Sequence, residues 1–285
     1  MKRFLVCLLF LALVTLGCNL STATPQGPTP ESEATNTKGG GIRPTKTAAA
    51  PATEAATDTS TPSTNTSCNE ISFYLDPTLA AGVQCETIPE FVSPTGIGTN
   101  PQYTKVSLQG YVLSDRFMKP VISVYSVDKF NLVLPGVSTY VTALQALIAG
   151  GAPGSSDLPL LPVQYARQLF FAQYAVIKFQ NGNGIRYVTE YAQMTYPITN
   201  HEMFFSFQGL TTDGKYWVSI ILPISHPSLL DNGDDTSSAD WIAINSNATA
   251  YYAQKTTDLN AVLPKSFNPS IVMLNALIKS ITITP

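Results

Sequence analysis

The sequence predicts an α+β domain: an antiparallel, meander-type sheet with helices packed against it. Three observations carry this prediction. Long runs rich in Phe, Tyr, Val and Ile come in pairs around short loops that contain Asn-Gly or Asp-Gly. Apolar residues recur at helical spacing in segments on either side of those runs. Strands and helices are grouped rather than strictly alternating, which favours α+β layers over a parallel α/β sheet.

The elements follow in order. "TKVSLQGYVL" (Thr104–Leu113) alternates Val106, Leu108, Gly110 and Val112 on one face, the pattern of a half-buried strand. "PVISVYSV" is a second strand, opened by Pro120, where a missing N–H is tolerated. "STYVTALQALIAGG" spaces Val141, Leu144, Leu147 and Ile148 as a helix and stops at glycine. After a Gly/Ser/Pro-rich loop, "RQLFFAQYAVIKFQ" and "IRYVTEYAQ" flank "NGNG", whose Asn-Gly pairs are expected to supply the positive φ of a tight turn. "HEMFFSFQGL" and "KYWVSIILPIS" flank "TTDG" in the same way. An acidic loop leads to a helix over 247–263, with Tyr252, Thr256, Leu259 and Leu263 along one side. In "FNPSIVMLNALIKSITIT", Asn268 is the expected cap and Pro269 suits the first turn. Ile271, Leu274 and Ile278 share a face, and a short strand closes the chain.

The globular part is expected to be one domain over 68–285, long enough to bury a substantial core. Before it, 19–67 is dominated by Thr, Pro, Ala, Ser and Gly and has no aromatic residue. Such a segment cannot bury enough apolar surface to offset the entropy of ordering, so it reads as a disordered linker. A flexible coil of that length spans about 40 Å root-mean-square.

At the N-terminus, Lys2 and Arg3 precede an apolar run from Phe4 to Val14, the charged and hydrophobic regions of a secretion signal. The run is too short to cross ~30 Å of hydrocarbon as a helix. "TLGC" (Thr15–Cys18) resembles the lipobox of bacterial lipoproteins, with Thr15 where those boxes usually carry Leu. The resemblance implies a signal peptide over 1–18, lipid attachment at Cys18 with acyl chains of the palmitate type, and a protein anchored on the extracytoplasmic face of the cell membrane. The bilayer, reached through acylated Cys18, is then its first partner. The alternative is an ordinary cleaved signal in which Cys18 is incidental.

Cys68 and Cys85 are the two cysteines of the domain. Outside the cytoplasm an isolated pair this close is most simply a disulfide, stapling the segment between them. A metal site with His201 or His226 is the weaker reading, because the paired short spacings of zinc sites are absent.

A second resemblance lies in "FQNGNGIRYVTEYAQ" and "FQGLTTDGKYWVSIILPI". These segments look like a family of uncharacterised bacterial extracytoplasmic lipoproteins. The order of elements, closed by "LNALIKSITI", is also similar to PsbP-like α/β/α sandwiches. Neither resemblance implies catalytic residues.

Composition narrows the function classes. The chain is 12% charged, half the ~25% usual for soluble domains. Its formal net charge is −3 with no basic stripe, which argues against nucleic acid as a partner. No cofactor motif is present. "DNGDDTSSAD" could gather Asp231, Asp234 and Asp235 around a hard cation such as Ca²⁺, but it lacks EF-hand spacing and reads first as a solvated loop. Ser225 and His226, with Asp231 or Asp213, supply hydrolase residue types, yet adjacent Ser and His cannot easily form the required hydrogen bond. Arg186 and Glu190, four apart on one strand, share a face and must bury or expose together. Tyr187, Tyr191, Tyr196, Tyr216 and Trp217 could floor a ligand groove, although aromatic strands are first of all core. Three expectations result: a non-enzymatic module that binds a protein or cell-envelope partner or assists assembly; a solute- or glycan-binding module with an aromatic pocket; and, last, a hydrolase.

Overall fold

The computed structural model describes residues 64–154 and 157–284. The signal, Cys18 and nearly all of the linker lie outside the described residues. Among the described residues, ten strands and four α-helices form an α+β fold built on a seven-stranded antiparallel sheet and a smaller three-stranded one. No described helix is long and apolar enough to cross a membrane.

The large sheet joins two meanders. One consists of β3 (Gly82–Ile88), β4 (Tyr103–Gln109) and β5 (Val121–Ser126). The other consists of β6 (Arg167–Phe179), β7 (Gly182–Ala192), β8 (Phe204–Thr211) and β9 (Tyr216–Pro223). Pairing of β5 with β9 fuses them in the order β3-β4-β5-β9-β8-β7-β6. Both predicted hairpins are present, β6 with β7 and β8 with β9.

Strand alternation sends two sets of side chains to opposite faces. Val106, Ile122, Val188, Phe205, Phe207 and Val218 enter the larger core. That core is closed by α3 (Ala239–Ala261), α4 (Ile271–Ser280) and the small sheet. Tyr125, Ile185, Tyr187, Leu210 and Trp217 enter a second core on the other face. It lies beneath α1 (Val127–Val133), α2 (Val137–Ile148) and Leu158 and Leu161 of the following loop. The strands are buried on both faces because helices cover both.

The small sheet pairs β1 (Thr64–Cys68) with β2 (Ile71–Leu75) and β2 with β10 (Thr282–Ile283). β1 therefore takes in Thr64–Ser67, Thr-rich sequence that composition assigned to the linker. β-branched Thr pairs well in a strand once a partner strand is supplied. Cys68 and Cys85 form a disulfide, Cα–Cα 5.8 Å, joining β1 to the edge strand β3. It ties the two sheets together.

Several local expectations are corrected. β4 ends at Gln109, because Gly110 takes φ +61° and turns the chain away; Val112 is exposed. The β6–β7 turn is centred on Gln180 and Asn181, with Phe179 opposite Gly182. No non-glycine there has positive φ. Gly182 and Gly184 instead lie within β7, where the Phe179 and Phe207 rings press on the backbone and leave no room for a Cβ. Gly214 of the second hairpin does supply positive φ, +73°. The first third of α3, 239–246, precedes the expected helix: Ser238 caps it through Trp241 N–H, and the helix breaks at Asn247. Asn247 Oδ1 accepts from Ala250 N–H and starts the rest of the helix. α4 is capped by Ser270, which accepts from Met273 N–H, rather than by Asn268. Asn268 pairs its backbone with Ser225.

Candidate functional site

Where the ends of β7 and its neighbours leave the two cores, a cavity of about 440 Å³ opens. Its walls carry Phe117, Tyr165, Tyr191 and Tyr196, together with the carboxylates Glu190 and Glu202. Met118 and Met194 complete the apolar lining, and no Lys, Arg or His lines it.

Each wall is held by polar bonds. Gln208 is fully buried on β8, and its amide is saturated. Oε1 accepts from Leu161 N–H (3.1 Å) and Trp217 Nε1–H (2.8 Å), while Nε2 donates to Ser206 and Ser219. Tyr187 donates to Pro159 O, and Leu158 N–H donates to Gln168. These bonds lay the 158–162 segment on the sheet and so fix the start of the loop that carries Tyr165. Tyr165 Oη donates to Gly96 O and accepts from Gly98 N–H, which anchors it at the rim. On the opposite side, α3 presents two adjacent tyrosines. Tyr252 Oη donates to Tyr196 O and accepts from Tyr196 N–H; Tyr251 Oη accepts from Ile198 N–H and donates to Asp240. The strand-to-strand segment 196–198 is thereby clamped.

Glu190 is the chemical centre of the cavity. It is 0% exposed. Oε2 accepts from Thr199 N–H at 3.0 Å, whereas Oε1 is buried without any partner. Burial pushes its carboxyl well above the ordinary range, and the nearby Glu202 adds to the shift. An orphaned buried acceptor costs about 1–3 kcal/mol. Glu202 is partly exposed and pairs with His201 Nδ1 at 2.8 Å.

Arg186 shares the Glu190 face of β7 and is also buried, but the two do not meet. Four residues of strand separate them by about 13 Å. Arg186 Nη1 donates instead to Gln173 O, in a β-bulge of β6 where Gln173 takes φ +56°.

The aromatic candidates divide. Tyr187 and Trp217 are core, Tyr191 and Tyr196 line the cavity, and Tyr216 is half-buried elsewhere. Phe117, Met118 and Tyr165 are contributors the sequence did not indicate; they sit in loops without periodicity.

The hydrolase residues are not assembled. Ser225 Oγ donates to Asn268 O. His226 is buried against Phe267, with Nδ1 2.7 Å from Ser228 Oγ and Nε2 3.1 Å from Ser266 Oγ. Desolvation holds its pKa below the usual histidine value, and no carboxylate contacts the ring among the described residues. The acidic loop is likewise dispersed. Asp231 faces Arg116 at 3.4 Å, Asp235 accepts from Ser237, and Asp234 N–H donates to Asn232. No group of three metal-ligating side chains occurs among the described residues.

A scan against protein-family models finds no match, and a search of curated proteins finds none either.

Proposed function

We propose that this protein is a membrane-tethered, extracytoplasmic binding module whose cavity takes a small organic cation with an apolar body. One observation carries the reading: Glu190 lines a cavity walled by aromatic and Met side chains, and one of its carboxylate oxygens is buried there without a partner. Aromatic faces attract a cation by about 0.5–2 kcal/mol each, more when water is excluded. A cation placed at Oε1 satisfies the orphaned acceptor and draws off the carboxyl proton. Binding therefore releases a proton and tightens as pH rises through the Glu190 titration. The ionisable carboxyl groups of the lining, Glu190 and Glu202, have no basic side chain among them, which favours an amine over a neutral ligand.

The tether rests on the signal-like N-terminus and Cys18. It is tested by palmitate labelling: label should enter the wild-type chain and be lost in Cys18→Ser. The binding reading is tested by thermal shift of the full-length protein against primary and quaternary amines, neutral aromatics and oligosaccharides. Saturable stabilisation by the amines alone supports it, and stabilisation by oligosaccharides alone transfers the site to glycans. The broader reading of a partner-binding or assembly module draws support from exposed Phe91, Val92 and Ile97, which belong to the loop that anchors Tyr165.

A further inference from the structure

Arg186 is the second buried charged side chain of β7, and the bulge carbonyl it bonds uses only part of its hydrogen-bonding capacity. A guanidinium carries five N–H donors and stays charged. Only Nη1 is engaged, with Gln173 O; Nε is buried and unpartnered. Arg186 is 8% exposed and forms no ion pair among the described residues. A charge removed from water without a counter-charge is costly.

The guanidinium lines a cleft of about 630 Å³ between the edge strand β6 and α4. Lys178 from β6 and Lys279 from α4 line the same cleft, and no carboxylate does. Strand alternation turns Lys178, the register partner of Asn183, to the other face of β6, so Arg186 and Lys279 are the two cations on the α4 side of this cleft in a chain of net charge −3. Asn275 also lines it, with a buried Oδ1 that lacks a partner. Rotating that amide end for end presents its N–H₂ to the cleft.

The geometry points to an anion-binding site, in which Arg186 and Lys279 hold a phosphate or phosphate-like oxyanion. The planar guanidinium offers Nε together with a terminal nitrogen as a fork that matches two oxyanion oxygens. Lys279 meets the anion from α4 as a point charge. The site stands on the same sheet face as Glu190 but opens into a different cavity, so it is independent of the cation reading.

Inorganic phosphate is titrated into full-length protein at constant ionic strength, with binding read by calorimetry. Saturable binding is expected in the wild type and its loss in Arg186→Gln. Lys279→Gln alters an exposed side chain, so its melting temperature without phosphate should match wild type while affinity falls roughly tenfold. This variant keeps the test valid if Arg186→Gln does not fold, and Lys178→Gln, on the other face of β6, is the control that should bind as wild type does. A second arm measures retention on phosphatidylcholine vesicles with and without phosphatidylglycerol. Retention on the anionic vesicles that inorganic phosphate competes away supports the same site with a lipid headgroup as the source. The inference is overturned if wild type shows no saturable phosphate binding and no competed vesicle retention, or if Lys279→Gln binds as wild type does.

Discussion

Arg186 and Glu190 leave the same face of β7, are both buried, and do not pair. One strand thus delivers a carboxyl group and a guanidinium to two cavities, each with an unsatisfied polar atom. A core selected for stability alone would not carry two such groups about 13 Å apart.

Glu190 makes folding stability depend on pH in a stated direction. Its folded pKa is raised above 4.5, chiefly by burial. The native state therefore holds the proton more tightly than the unfolded chain does. The associated stability is full below about pH 4.5 and is lost as pH rises through the folded pKa. Glu190→Gln keeps an acceptor for Thr199 N–H and removes this dependence. Urea denaturation from pH 4 upward should show wild type losing stability relative to Glu190→Gln, with Glu202 common to both proteins. Parallel pH profiles would refute the assignment.

The Gln208 amide holds the inner wall. Gln208→Leu strands the Trp217 and Leu161 donors and should cost about 3 kcal/mol or more. Amide exchange at Leu161 should accelerate more than exchange across β8. Unchanged protection at Leu161 would mean that the loop is held by other contacts.

The glycines of β7 are required by ring packing rather than by turn geometry. A Cβ on Gly184 would lie 2.5 Å from Gln208 O and 2.5 Å from the Phe207 ring. Gly184→Ala should destabilise by about 1–3 kcal/mol. Gly82→Ala meets nothing within 4 Å, so its effect in the same denaturation assay should be within about 0.5 kcal/mol of zero.

The Cys68–Cys85 bond closes a short loop, with a sequence separation of 17, and links the two sheets. Replacing both cysteines by serine should lower stability by about 3 kcal/mol, chiefly by freeing the unfolded chain. Equal midpoints for the two proteins would show that the staple adds nothing.

Much of the fold was legible because periodicity reports burial. Val106 and Leu108, the four strands of the second meander, and Leu144, Ile271 and Leu274 all fall where alternation or helical spacing puts them. Local chemistry was less decisive. Asn181-Gly182 and Asn183-Gly184 look like turn residues, yet the Phe179 and Phe207 rings claim the glycines, a contact between strands that no single segment displays. The first third of α3 hid behind "DNGDDTSS", whose Ser238 cap is evident only once the helix is known. Period two placed Arg186 and Glu190 on one face; it could not say that they serve separate cavities. The rest of the site comes from Phe117 and Tyr165, loop residues positioned by bonds to distant backbone.

The most direct test of the central claim is calorimetric titration of full-length protein with benzyltrimethylammonium, set against benzyl alcohol as a neutral analogue. The account predicts saturable binding of the cation, affinity that rises with pH, and at least tenfold weaker binding to Glu190→Gln and Tyr191→Ala. Equal affinity of wild type and Glu190→Gln for the cation, or equal affinity of wild type for the cation and the alcohol, would contradict it.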